Sequence, residues 1–379
     1  MRGWNLARGR VCNGRGPCDV MKLGLLYHQF ISRGGLEGYL WEFAKQLAGR
    51  GHELTLVGSW VEDRFRALAR EVRVIPPPPL PSGWMLKKFA RRSAAMVPEL
   101  GCDLTLGFGR TFRQDVHRAG GGCHRVYSRM LPEEKQRRWK NQWELAVEER
   151  LYTGGQTRHF VVNASRIAEE LQEEYAVPAE RISVIHTGVD TEHFQPGDGR
   201  ESRVELGVGE ESRAVVLFVS LDHRRKGLET ALGAMELLKD AVLWIVGAEL
   251  DGEWGRMITE KGLESRVRSF GPQPDLRPFY QAADVFVHPT RYDACANTVL
   301  QSMACGLTGV ISSRDGARDF IRHGENGFLL SDPRSSEELA AHVQAALDKP
   351  QCVAARATML PLTWAAHVDA WGRVFGDLR

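Results

Sequence analysis

"HPTRYDACANTVLQSMACG", His288 to Gly306, reads as one strand–loop–helix unit once the apolar run "VFVHP" (Val285 to Pro289) is joined to it. That run is short and apolar, as a buried strand is. A helix starts near Asn297, with Val299, Leu300, Met303 and Ala304 spaced to pack on one side. The backbone N–H groups of Asn297, Thr298 and Val299 would point from its first turn toward an anion. Asp293 lies before that turn and can accept hydrogen bonds from ligand hydroxyls. Gln301 lies one turn further and can reach a pair of hydroxyls, because an amide both donates and accepts. The plainer reading of Gln301 is a polar residue on a helix.

Working outward, the same alternation of short apolar runs and longer amphipathic stretches holds. Candidate strands before the middle of the chain are "LGLLY" (from Leu23), "LTLVG" (from Leu54), "LTLGF" (from Leu104), "FVVN" (from Phe160) and "ISVIH" (from Ile182). Beyond it come "VVLFVS" (from Val215), "VLWIVG" (from Val242), "VFVHP" and "TGVISS" (from Thr308). Buried strands alternating with helices predict parallel α/β sheets. A polar, Gly- and Glu-rich segment over 191–213 reads as a connection between two such series. One doubly wound domain is therefore expected over 21–190 and a second over 214–362, facing each other across a cleft. "PPPPLP" (Pro76 to Pro81) is expected to be a stiff extended loop.

The 379 residues are too many for one ordinary core, which agrees with two domains. At 43% hydrophobic and 26% charged the composition is globular, and a net charge of +2 argues against a nucleic-acid binder. Seven scattered Cys without a C-x-x-C pair fit a reducing compartment. No apolar run approaches a membrane span. The Arg- and Gly-rich residues 1–20 lack the apolar middle of a secretory signal and read as a disordered or misassigned leader before Met21.

Three further pieces carry chemistry. Gly34 and Gly35 precede a helix on which Leu36, Leu40, Phe43 and Leu47 are in register, so a phosphate can approach backbone N–H groups there. Arg224, Arg225 and Lys226 sit in the turn after "VVLFVS", where cations can hold a diphosphate and stabilise it as it leaves. "DVHRAGGGCHR" places Asp115, His117 and His124 around a triple-glycine turn, without zinc-site spacing. Taken singly, each piece has a plain structural explanation: a strand–helix turn, a solvated basic turn, a hydrogen-bonding His. Their order along the chain is what points to a site.

That order resembles the retaining glycosyltransferases of family 4, with the two-domain GT-B fold, and within them the lipopolysaccharide core glucosyltransferase I group. The supporting stretches include "GGLEGYLWEFAKQLAGRGHE", "DVHRAGGGCHR", "LFVSLDHRRKGLETAL", "FYQAADVFVHPTRYD" and "LQSMACG", and the likeness runs from Met21 onward. The resemblance implies a UDP-sugar donor, glucose by that group, transferred to a lipid-linked oligosaccharide, the lipopolysaccharide inner core, without metal or cofactor. It implies that Gly34 and Gly35 face donor phosphates or acceptor, that His124 contacts the transferred sugar, and that Arg225 and Lys226 neutralise the diphosphate. Asp293 would hold sugar hydroxyls and Gln301 ribose; the family has Glu at both positions. It also implies a last helix, within 363–379, that crosses back to the first domain. A cytoplasmic protein on the anionic inner membrane follows from the acceptor and from the basic, aromatic segments 85–93 and 124–144. The other readings are a different donor or acceptor in the same fold, or a non-catalytic nucleotide-sugar-binding protein, which Gln301 suggests.

Overall fold

The computed structural model describes residues 20–31, 34–77, 82–208 and 213–379. The leader, but for Val20, lies outside the described residues, as do parts of the proline loop and of the 191–213 connection.

Two all-parallel sheets dominate. The first has seven strands in the spatial order Glu71–Val74, Glu53–Gly58, Lys22–Leu26, Leu104–Phe108, Gln114–Arg118, Thr157–Val162, Ile182–Val184. The second has six, in the order Val267–Ser269, Ala241–Gly247, Ala214–Ser220, Val285–His288, Thr308–Ser312, Gly327–Leu330. In each sheet the first strand sits in the middle and the order reverses beside it, which is the doubly wound pattern. Helices cover both faces, so the central strands are apolar on both sides: Leu23, Leu25 and Leu26 are all fully buried. This is the GT-B architecture of two Rossmann-like halves.

Three strands of these sheets escape the hydrophobic pattern, and a fourth beyond those expected, Gly327–Leu330, is a short apolar run. Gln114–Arg118, "QDVHR", is the instructive one, since four of its five residues are polar. Gln114 Nε2 donates to Thr157 Oγ1 at 2.7 Å, and the Asp115 carboxylate accepts from the Thr105 N–H and hydroxyl at 2.8 and 2.7 Å. Polar groups satisfied by neighbouring strands are as acceptable inside as apolar ones, but no periodicity announces them. The Glu71–Val74 and Val267–Ser269 strands lie at sheet edges and are short.

The halves are joined by apolar contact and by the chain's final helix. Ile167 and Leu171 of the first half share a buried cluster with Ala294, Cys295 and Ala317 of the second. The helix Trp364–Leu378 is capped by Thr363 Oγ1, which accepts from the Ala366 N–H at 3.1 Å. It packs not on the preceding sheet but on the first: Val368, Trp371, Val374 and Phe375 are buried with Leu23, Leu25 and Phe43. Val189 pairs with Thr363 where the two interdomain passes of the chain run side by side.

Candidate functional site

Strands Ala214–Ser220 and Val285–His288 are neighbours at the point where the second sheet's order reverses. The loops leaving their carboxyl ends therefore frame a crevice, the usual ligand position in such sheets. Two glycines hold those loops close. Gly227, at φ +84°, lies so near the Pro289 carbonyl that a Cβ would overlap it, and Gly247, at φ +128°, does the same with the Ser220 carbonyl. Just before Gly227 stands one short helical turn, His223–Lys226, capped by the Asp222 carboxylate, which accepts from the Arg225 N–H at 3.2 Å.

Three of the expected residues meet here. Arg225 Nη1 donates to Asp293 Oδ2 at 3.1 Å and to the Tyr292 carbonyl at 3.0 Å, and Lys226 Nζ forms an ion pair with the same Asp293 oxygen. Lys226 Nζ is also 3.3 Å from His288 Nε2, and Asp315 Oδ2 is 3.4 Å from that nitrogen. Burial alone would raise the Asp293 pKa, but Lys226, His288 and Arg225 outweigh it and hold the carboxyl well below its usual value. Burial, then the Lys226 charge, pushes His288 down to about 4, so its ring is neutral. Burial, then the Asp293 charge, pushes Asp315 up to about 7. Lys226 and Asp293 each keep 13% of the side chain exposed, toward a cavity of about 480 Å³.

That cavity is walled by both halves: Gly35, Arg118 and Thr187 on one side, Ser220, Asn297 and Thr298 on the other, with Arg225, Lys226 and Asp293 at its floor. The helix Gly34–Gly49 begins at the expected glycine pair, and nothing lies within 4 Å of where a Gly35 Cβ would stand. The helix Asn297–Ala304 begins where the sequence places it. One of its three expected donors is spent, because Val299 N–H bonds the Ala296 carbonyl at 3.0 Å and the Val299 side chain is fully buried. Asn297 and Thr298 remain at the cavity wall, and the Thr298 hydroxyl is buried without a partner.

Gln301 lines an adjoining cavity of about 300 Å³ that shares Gly35, Tyr39, Thr187 and Asn297 with the first. Its Oε1 accepts from the Tyr280 hydroxyl at 3.2 Å. His124 lines a third cavity, about 450 Å³, on the far side of Arg118, Arg225 and Asp293. Its ring is fastened: Nε2 is 2.9 Å from Asn141 Oδ1 and Nδ1 is 3.4 Å from Glu144. Arg224 points away and pairs with Glu253 at 2.5 Å.

Sequence reasoning missed Arg118, Asp315 and Tyr292. Tyr292 ties the halves together: its hydroxyl donates to Glu170 Oε2 at 2.7 Å and accepts from the Cys123 N–H at 2.7 Å. A tyrosine beside Asp293 in a polar loop was a visible signal; that its partner is a glutamate 122 residues away was not.

A parallel two-sheet fold with a cationic cleft at its switch point is a setting for anionic ligands. A family model described as Glycosyltransferase Family 4 matches residues 33–193, and one described as Glycosyl transferases group 1 matches residues 213–349. The chain belongs to this glycosyltransferase family. It is 32% identical over 213 residues to a D-inositol 3-phosphate glycosyltransferase of Thermobispora bispora, covering 52% of this chain and 49% of that protein, so it spans about half the length of that relative. It is 22% identical over 343 residues to the lipopolysaccharide glucosyltransferase WaaG of Escherichia coli, covering 86% of this chain and 90% of that protein. Among solved structures, WaaG superposes with a TM-score of 0.78 at 19% identity over 94% of this chain and 99% of that one. Anabaena HepE in complex with UDP and glucose gives 0.73 at 21% identity, over 94% and 100%.

Proposed function

We propose that this protein is a retaining, metal-independent hexosyltransferase that moves glucose from UDP-glucose to the inner core of lipopolysaccharide. The observation that carries the reading is the two-walled cavity with Arg225, Lys226 and Asp293 at its floor and the Asn297–Thr298 helix start at its side. Cations and helix N–H groups suit a diphosphate, and a carboxylate suits sugar hydroxyls. HepE, with UDP and glucose bound, shares the fold, which supports the donor class.

In this reading Arg225 and Lys226 stabilise the charge that develops on the leaving diphosphate. Asp293 exchanges part of its ion pairing for hydroxyls of the incoming sugar, and Gln301 takes the ribose from the adjoining cavity. Glycosidase-type double displacement needs two carboxylates flanking the reacting carbon. Asp293 is locked to two cations and Asp315 is fully buried, so front-face departure, with the leaving phosphate accepting the acceptor's proton, fits better. The third cavity, reached past Gly121 and His124, would take the acceptor.

The membrane setting rests on helices Ser82–Met96 and Trp139–Thr153, which share a small cluster of Ala90, Phe112 and Val147 and so bring two basic segments together. Trp139 is 60% exposed beside exposed Lys135, Arg137, Arg138 and Lys140. Not all the expected residues face out: Arg125 lies over the Tyr175 ring and Tyr127 packs at a tilt against Tyr292, while Arg129 is exposed and pairs with Glu174. Among the described residues no helix is long and apolar enough to cross a membrane. A peripheral position on the cytoplasmic face of the inner membrane completes the proposal.

A panel of nucleotide sugars tests it, read as binding and as slow donor hydrolysis without acceptor. UDP-glucose should be bound and hydrolysed, and Lys226→Ala should lower turnover by about a hundredfold. Binding without turnover, unaltered in that variant, would leave a nucleotide-sugar-binding protein. The relative named for inositol phosphate makes that acceptor the first alternative to include.

A further inference from the structure

Arg118 ends the strand Gln114–Arg118 on the cleft side of the first sheet. It is 6% exposed, and it lines both the 480 Å³ and the 450 Å³ cavities. A buried guanidinium ordinarily has a counter-ion. Arg166, buried to a similar degree, has Glu170 at 2.7 Å. Arg118 has none among the described residues. Its Nη2 donates to Thr187 Oγ1 at 3.1 Å, its guanidinium lies 3.5 Å over the Tyr39 ring, and its Nε is buried without a partner. The ionisable groups that act on it are Tyr39 and Cys295. Both stay protonated, since burial pushes the phenol up to about 12 and the thiol well above its usual value.

The fold makes room for this charge at some cost. A Cβ on Gly120 would overlap Arg118 Nη1, so the guanidinium occupies space that only glycine leaves. A cation held in place by a stacking ring, a hydroxyl and a tailored glycine, yet without an anion, is a site awaiting one. Across the cavity stand Arg225, Lys226 and the Asn297–Thr298 helix start, the other anion-ready groups.

We infer that Arg118 grips the donor's diphosphate from the first half of the molecule, opposite Arg225 and Lys226, and so acts as a catalytic residue. The inference rests on the donor reading above and deepens it: the leaving group is held from both halves. The transition state is then stabilised fully only when the two sheets stand at this separation, which ties donor activation to the closed cleft. Charge-assisted bonds to phosphate in a desolvated site are the strong kind.

Arg118→Met tests it, because it keeps an unbranched stem and removes the guanidinium and its charge. Relieving an unpaired buried cation should raise the melting temperature of the ligand-free protein by about 2–4 °C. UDP affinity should fall by about tenfold or more, and donor hydrolysis by about a hundredfold, while uridine, which lacks phosphate, binds as to the wild type. UDP affinity within twofold of wild type overturns the inference, and so does a parallel loss of uridine. A change confined to the acceptor's KM also overturns it, by placing the anion on the acceptor. A lowered melting temperature with unchanged hydrolysis would mark Arg118 as structural. If the wild type itself ignores UDP, the donor reading is what fails.

Discussion

Asp293 and Asp315 sit on paired loops, one β-bridge apart, and carry opposite pH signatures. Asp293 is held below its unfolded value, so the stability it contributes is present at neutral pH and lost only in strong acid. Asp315 is pushed the other way, from an ordinary 3.8 up to about 7. Between those values the folded protein binds a proton that the unfolded chain does not, so stability declines as pH rises through that window. Asp315 Oδ1 accepts from the Ala296 and Ala317 N–H groups at 3.1 and 2.8 Å, bonds that an asparagine oxygen can keep. Asp315→Asn should therefore gain on the wild type as pH rises, its melting temperature relative to wild type being higher at pH 8 than at pH 5. A difference that is flat across that range would remove Asp315 from the titrating network.

At the scale of elements, the triple glycine after strand Gln114–Arg118 shows three different needs in consecutive residues. Gly120 yields space to Arg118, Gly122 takes φ +81° against the Tyr292 hydroxyl, and Gly121 has open space where a Cβ would stand. Gly120→Ala should cost about 1–3 kcal/mol by overpacking. Gly121→Ala should leave the melting temperature unchanged, and denaturant unfolding of both variants checks the contrast. Equal costs at the two positions would contradict it. The same turn marks how far the sequence could be read. Strands such as Ala214–Ser220, apolar on both faces, and the helix start at Asn297 were legible because hydrophobic pattern and helix spacing are local. Arg225, Lys226 and Asp293 were legible as pieces, and their order suggested one site. The strand beneath Arg118 was not, since its polar side chains are satisfied by Thr105 and Thr157 from other strands. Nor was the spent N–H of Val299, which depends on how tightly the first helical turn closes. Most of what stayed hidden depends on a partner distant in sequence; the Val299 N–H, bonded three residues back, depends on local helix geometry that spacing does not resolve.

For the whole molecule, the basic helices and the crossing helix set the large-scale behaviour. Exposed Lys135, Arg137, Arg138 and Lys140 around Trp139 predict co-sedimentation with vesicles containing anionic lipid, weakening as salt is raised. Equal binding to neutral vesicles, or none at low salt, would count against a peripheral membrane site. Trp371 is fully buried in the core of the first sheet although it belongs to the chain's final helix. Trp371→Ala should cost about 3–5 kcal/mol, and the loss should register in probes of the first half rather than the second. That helix also has a consequence for synthesis. A ribosome delivers Leu23, Leu25 and Phe43 early, but their covering side chains Val368, Trp371 and Phe375 emerge more than three hundred residues later. The first half must wait with an open apolar face while the second is translated and folds. The nascent first half is thus most exposed to aggregation and to chaperones until the helix Trp364–Leu378 has left the exit tunnel and sealed it.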